Sequence, residues 1–409
     1  MKNNNYKKFL LLWLGELISS IGGGLTSFGL GVYVFNQTGS ATSMALITLL
    51  GFLPTLVLSV PAGVLADKYD RRLLMIIGDG CSALGILFIL ICMLNGGASL
   101  LQICIGVFIS SIFSSLLEPS YKATITDLLT KNEFSKASGL VSLAGSSRYL
   151  FSPILAGFLL SITTINTILI IDICTFLLTI LSIAIVRRSI KTKKIETNEK
   201  FIKSLKTGWK AIKTRKGVFT LVIISSIVTL FLGTFQILVE PLVLSFADSK
   251  TLGIAETICA CGMLFSGIIL GIKGIKKNYV KVLSISLSLS GVFMICFGIF
   301  ENIIPIIIFG FLFFTMLPFA NNSLDYLTRI NIPDELQGRV WGLIGFISQL
   351  GYVVAYSVSG IIADSLGSIV GSVGRGSAIT IQISGLFLLV IAIIIPSLKR
   401  LKGIEIPDK

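Results

Sequence analysis

The 409 residues are 54% hydrophobic and only 13% charged, with a mean hydropathy of +0.92, a balance that excludes a set of water-facing soluble domains. The formal net charge of +14 does not point to nucleic acid, because that partner needs a soluble basic face with groove-reading or aromatic elements and the sequence has none. The composition is that of an integral membrane protein embedded over almost its whole length.

Apolar runs long enough to cross a hydrocarbon core, about 20 residues each, recur along the chain. The first follows MKNNNYKK and covers roughly 9–35. It is too long for a signal-peptide core and lacks a small-residue cleavage site, so it is expected to stay in the mature protein. The next five spans are expected near 41–64, 73–94, 98–118, 138–160 and 165–186, and a second six near 217–245, 252–272, 279–300, 303–325, 338–362 and 378–397. None alternates with period two, so the expectation is twelve transmembrane helices in an all-α integral membrane fold, not a barrel.

With the N-terminus cytoplasmic, all 34 Lys and Arg except Lys250, Arg375 and Arg148 fall on the cytoplasmic side. That positive-inside pattern implies an even number of spans and both termini cytoplasmic, in a multi-pass cell membrane protein of bacterial plasma-membrane type. The net charge then reports topology and attraction to anionic membrane lipid. Cys81, Cys92, Cys104, Cys174, Cys259, Cys261 and Cys296 all lie in apolar spans, where they read as packing residues. Cys259 and Cys261 are two apart on a helix and face different ways, which argues against a metal or a disulfide; no cofactor is implied.

The loops suggest a duplicated chain. DLLTKNEFSKASGL, between spans four and five, and RINIPDELQGRVWGL, between spans ten and eleven, both place an acidic-apolar pair (Glu133 and Phe134; Glu335 and Leu336), then Lys136 or Arg339, and open the next span at Gly139 or Gly342. The reading is an N-terminal six-helix bundle over 1–190, a basic cytoplasmic linker over 191–216 and a C-terminal six-helix bundle and tail over 217–409, the bundles related by a parallel repeat. Residues 187–216 carry twelve Lys or Arg against two Glu, and Phe201, Ile202, Leu205, Trp209 and Ile212 recur at spacings of three and four. That spacing predicts an interfacial helix on the cytoplasmic leaflet.

Charge also concentrates in GVLADKYDRR, residues 63–72, between spans two and three. Gly63 would allow close helix approach, Asp67 stands alone at the end of span two, and Lys68, Arg71 and Arg72 follow. An acid there can bond the free N–H groups of another helix. The stretch resembles the cytoplasmic loop motif of the major facilitator superfamily, Gly-x-Leu-Ala-Asp-Arg-x-Gly-Arg-Arg, with Lys68 and Asp70 as departures. Asp70, with IPDELQGRV at 332–340, is similar to the drug-exporter branch that includes macrolide efflux proteins. The resemblance implies two bundles around a central cavity that opens alternately to each side, and contact of Asp67 with the start of span eleven near Gly338 and Arg339. The second-half counterpart, GIILGIKGIKK at 267–277, has no acid, so the latch is expected to be asymmetric. GSSRYLFSPILAG in span five is similar to the antiporter motif of exporters at Pro153 and Gly157, with Ser152 and Arg148 as departures.

Glu16, Asp79, Arg148 and Asp172 lie well inside spans, where ionisable groups are costly. With no histidine in the chain, a transported proton must use carboxylates. One reading makes Glu16 the proton carrier with Arg148 beside it; the other makes the two a permanent ion pair bridging helices. Asp79 either joins the latch with Arg71 or Arg72 or caps the bundle end, and Asp172 either couples or bonds helices together. Glu118, Glu240, Glu256 and Asp325 lie near span ends and are expected to reach water. In the implied fold Ser20, Thr26, Ser114, Phe235, Gln236, Phe314 and Asn321 line the substrate cavity, though each could instead pack against a neighbouring helix. A mainly apolar pocket suits amphiphilic drugs.

The expected function is secondary active transport, export of hydrophobic or amphiphilic compounds in exchange for protons, with sodium as the other possible ion. A carrier of a dedicated metabolite (siderophore, peptide or lipid) and a non-transporting receptor are the alternatives. A nucleophile set beside a base and a phosphate-binding Gly-x-x-x-x-Gly-Lys-Ser/Thr loop are both missing, which argues against an enzyme and against ATP-driven pumping.

Overall fold

The computed structural model describes residues 2–187, 209–333, 336–401 and 404. The main helices are α1 (Lys2–Thr38), α2 (Ala41–Lys68), α3 (Arg71–Leu94), α4 (Leu100–Ser114), α5 (Leu117–Leu128), α6 (Lys131–Leu150), α7 (Ser152–Ile162) and α8 (Ile165–Arg187). They are followed by α9 (Lys216–Leu244), α10 (Ser249–Lys273), α11 (Tyr279–Phe297), α12 (Ile303–Ile330), α13 (Gln337–Val370) and α14 (Val373–Ile394). Among the described residues no strand forms, and twelve helical segments are long and apolar enough to cross a membrane.

Two of those twelve are broken. Pro119 and Pro153 lack the N–H that would bond the carbonyls of Ser115 and Tyr149, four residues back. The fourth span accordingly divides into α4 and α5 and the fifth into α6 and α7. Proline alone does not force a break, since Pro54, Pro61, Pro241 and Pro318 stay inside continuous helices.

The chain forms two compact units. The first comprises Met1–Gly39, Leu46–Thr197 and Ser249–Ile254; the second comprises Ser40–Ala45, Asn198–Asp248 and Ala255–Lys409. Within each, helices turn aliphatic side chains outward and small or polar ones inward, as lipid requires. α8 exposes Leu177, Leu178, Leu181 and Ile185 and buries Asp172, Thr175, Thr179 and Ser182. α14 likewise exposes Leu386, Phe387, Val390 and Ile393 and buries Ser377 and Thr380.

In the first unit α1 lies along α8 through glycines seven residues apart, which fall on one helix face. A Cβ at Gly15 would stand 2.6 Å from Ser182 Oγ, one at Gly22 would collide with Thr175 Oγ1, and one at Gly29 would stand 2.7 Å from Ile165 Cδ1. The first turn of α10 belongs to this unit too. There a Cβ at Gly157 would stand 2.5 Å from the Ser249 carbonyl, and one at Gly253 would collide with that of Pro153.

The second unit holds the first turn of α2 by a carboxylate. Asp364 on α13 accepts from Ser40 Oγ at 2.6 Å, Ala41 N at 2.9 Å and Thr42 N at 3.0 Å, so it caps a helix N-terminus whose own amides have no internal partner. α9 is fastened to α13 by hydroxyls: Ser226 donates to the Ile347 carbonyl at 3.1 Å and Thr229 to that of Ser348 at 2.5 Å, while the Thr234 and Ser359 hydroxyls meet at 2.9 Å.

Of the apolar face expected for an interfacial linker helix, Phe201, Ile202 and Leu205 lie outside the described residues. Ile212 is fully buried against Val218, Val222, Ile332, Val340 and Ile344, so this end of the face serves the core of the second unit rather than lipid. Trp209 rests beside it, its ring 6.4 Å from that of Phe219.

The close contact of α1 with α8 has a measurable consequence. Gly22→Val should destabilise the fold by about 1–3 kcal/mol through overpacking, read as a lower thermal midpoint in detergent. Gly145→Ala, at a position inside α6 where an added Cβ meets no atom within 4 Å, should not lower the midpoint and gains up to about 1 kcal/mol of helix propensity.

Candidate functional site

Arg71 organises the charged stretch after α2. Its Nε donates to the Ala66 carbonyl at 3.1 Å and its Nη1 to the Ala123 carbonyl at 3.2 Å. The guanidinium pairs with Asp127 at 2.8 Å and, more loosely, with Asp67 at 3.8 Å. One side chain thus ties the end of α2 to α5. Asp70 caps α3, accepting from the Arg72 backbone N–H at 3.1 Å, and its other oxygen holds Arg187 at the end of α8 at 2.7 Å. Asp70, a departure from the family glycine, therefore has a structural use. Lys68 closes the last turn of α2, where a cation complements the helix dipole.

Two expectations for this loop change. A Cβ at Gly63 would meet no atom within 4 Å, so close helix approach does not explain that glycine. Of Gly338 and Arg339, expected to receive Asp67, only the helical backbone is described. The acid-free counterpart after α10 is built differently: Gly274 and Asn278 take left-handed backbone conformations, and the Tyr279 ring stacks on Tyr326 at 3.7 Å.

The intramembrane acids of the first unit sit on three helices. Asp172 on α8, 1% exposed, accepts from Thr26 Oγ1 of α1 at 2.6 Å and from Thr175 Oγ1 at 3.4 Å. Thr26 is thus a buried hydrogen-bond donor to Asp172, not an open cavity wall. Asp79 on α3, also 1% exposed, has neither oxygen hydrogen-bonded. It pairs with neither Arg71 nor Arg72 among the described residues, but lies within electrostatic reach of Glu16 and Asp172. Three carboxylates on α1, α3 and α8 therefore share one field.

Glu16 and Arg148 do not meet. Along α1 the Arg148 side chain stands at Gly24, where an added Cβ would be 3.0 Å from Arg148 Cγ. That is eight residues, roughly 12 Å, from Glu16. The charged neighbours of Glu16 are Glu118 on α5 and Asp79 on α3. Ser20 is half-buried, and the Ser114 hydroxyl meets that of Ser82 at 2.9 Å, joining α4 to α3.

In the second unit Phe235 is 1% exposed, its ring centred 4.4 Å from Phe313, 4.6 Å from Phe297 and 5.8 Å from Phe314. It belongs to an aromatic core and does not line a cavity. Phe314 is half-buried at its edge, Asn321 is exposed, and Gln236 accepts from Tyr356 Oη at 3.4 Å. Glu240 on α9 and Glu256 on α10, placed near span ends by sequence, are half-buried and within electrostatic reach of each other. Neither makes an ion pair among the described residues.

Sequence reasoning missed Asp127, the Arg187–Asp70 pair and Asp364. The last had a signal: Gly360-Ile-Ile-Ala-Asp364 repeats the Gly63-Val-Leu-Ala-Asp67 pattern elsewhere in the chain. Asp127 had none, because its partner depends on how α5 lies against the end of α2.

The family profile described as Major Facilitator Superfamily matches residues 12–356. Macrolide efflux protein A of Streptococcus pyogenes is 25% identical over 99% of both chains. The multidrug efflux pump Tap of Mycolicibacterium fortuitum is 21% identical over 98% of both. Among solved structures, a bacterial homologue of the iron transporter ferroportin in an inward-facing state superposes with a TM-score of 0.72 at 14% identity, covering 95% of this chain and 99% of that one.

A buried carboxylate with no partner costs stability, so Asp79 persists for another reason. Asp79→Asn should raise the thermal midpoint, a gain of about 1–3 kcal/mol, while lowering transport; the two are measured by thermal unfolding and by substrate flux on the same preparation.

Proposed function

The chain belongs to the Major Facilitator Superfamily, and on that premise we propose that it exports hydrophobic or amphiphilic drug-like compounds by alternating access, in exchange for protons. It is a multi-pass membrane transporter of small molecules and not an enzyme. The observation that carries the drug-export reading is the similarity to a macrolide efflux protein over 99% of both chains.

The structure supports proton coupling through the acids of the first unit. Asp79 and Asp172 are shut away from solvent, Glu16 lies within their field, and the chain has no histidine to share the task. A carboxylate that can be reached from one side of the membrane at a time exchanges a proton for a charge, and its two states differ in how they bond to neighbours. Asp172 is fixed by two threonine hydroxyls, which favours a positioning role. Asp79 has neither oxygen hydrogen-bonded and lies within electrostatic reach of Glu16, and these two are assigned the proton.

Everted membrane vesicles test this reading. Uphill accumulation of a macrolide or a lipophilic dye should depend on the chain and vanish when the proton gradient is collapsed. Glu16→Gln should abolish gradient-driven accumulation and keep exchange of labelled for unlabelled substrate. Accumulation that survives without the gradient rejects proton coupling, and absence of accumulation for every drug-like probe rejects drug export.

A further inference from the structure

Arg148 stands in mid-span, roughly 16 Å along the helix from Ala137 and roughly 21 Å from Ile162, the ends of the fifth span. Its side chain is exposed, and among the described residues it forms no ion pair. Asp172, the acid within its electrostatic reach, is held on a different side of α1. Asp172 Oδ1 faces Gly22 and Arg148 faces Gly24, and positions two apart on a helix point about 200° from each other.

The helix around Arg148 is polar on its open side. Taken around α6 at about 100° per residue, Gly145, Tyr149 and Ser142 lie within about 120° of Arg148 on one arc, and all four are exposed. The opposite side, Ala144, Ser147 and Leu150, is buried. Hydrocarbon does not accommodate a face of hydroxyls and a guanidinium, so this arc borders a water-filled path. A cation on such a path that forms no ion pair among the described residues, with the Ser142 and Tyr149 hydroxyls on the same arc, is suited to hold an anion, and the planar guanidinium fork matches a carboxylate, sulfonate or phosphate.

We propose that Arg148 anchors an anionic group of the transported amphiphile, with Ser142 and Tyr149 completing the contact. This rests on the exporter reading and names the charge of its substrate; a lipid phosphate at the membrane surface does not reach this depth.

The test separates the site from the activity. Ser142→Cys and Tyr149→Cys, each in a full-length chain whose seven native cysteines are replaced, are reconstituted in liposomes and labelled with thiosulfonate reagents of equal size and opposite charge. The anionic reagent should react about tenfold faster than the cationic one, a ratio that falls to near unity with Arg148→Gln and persists with Arg148→Lys. Failure of both reagents to react, or a ratio indifferent to Arg148, overturns the proposal. In the same liposomes the half-saturating concentration for carboxyfluorescein export should rise roughly 10- to 100-fold with Arg148→Gln, while that for cationic ethidium stays put. Equal loss for both dyes, or export of ethidium alone by the unmodified chain, also overturns it. If neither dye moves while the labelling ratio holds, the exporter reading fails and the anion anchor stands.

Discussion

The approach of α1 to α8 is the contact on which the first unit depends. Between helices in lipid there is no hydrophobic gain, because the alternative to a neighbour is a solvent as apolar as the neighbour itself. Attraction must come from close packing and from hydrogen bonds. Gly15, Gly22 and Gly29 remove the side chains that would hold the helices apart, and Ser182, Thr175 and Ile165 fill the space. Only at that separation can Thr26 reach Asp172 at 2.6 Å. A carboxylate that would be prohibitive in a looser bundle becomes a fixed part of this one.

The two units spend their polar groups differently. The first concentrates acids on α1, α3 and α8 and leaves the open side of α6 hydrophilic. The second joins α9 to α13 with hydroxyls and builds an aromatic core around Phe235. Of its acids, Glu240 and Glu256 are half-buried within electrostatic reach of each other, while Asp364 is fully engaged as the cap of α2.

Much of this was legible before any coordinates. Twelve apolar runs and the placement of lysine and arginine required a helical membrane protein, because length and backbone satisfaction leave few other arrangements. GVLADKYDRR announced a charged turn. What failed was distance. Glu16 and Arg148 look matched in depth when each is measured from its own span end, but the level at which α6 crosses α1 is set by packing at Gly24, which no residue count supplies. Phe235 failed similarly: a span assigned to a cavity still has a back face, and whether an aromatic occupies it depends on Phe297 and Phe313, some 60 to 80 residues away in the chain. Gly63 shows the opposite error, a glycine credited with a tight contact where there is open space.

Arg187 and Ile212 mark where the basic connection leaves one unit and enters the other. The first is fastened by a salt bridge to Asp70, the residue that also caps α3, and the second by burial among Val218, Val222 and Ile344. Each anchorage is therefore shared with a helix end, so a substitution at Asp70 or Ile212 disturbs the packing of its own unit and the attachment of the connection together.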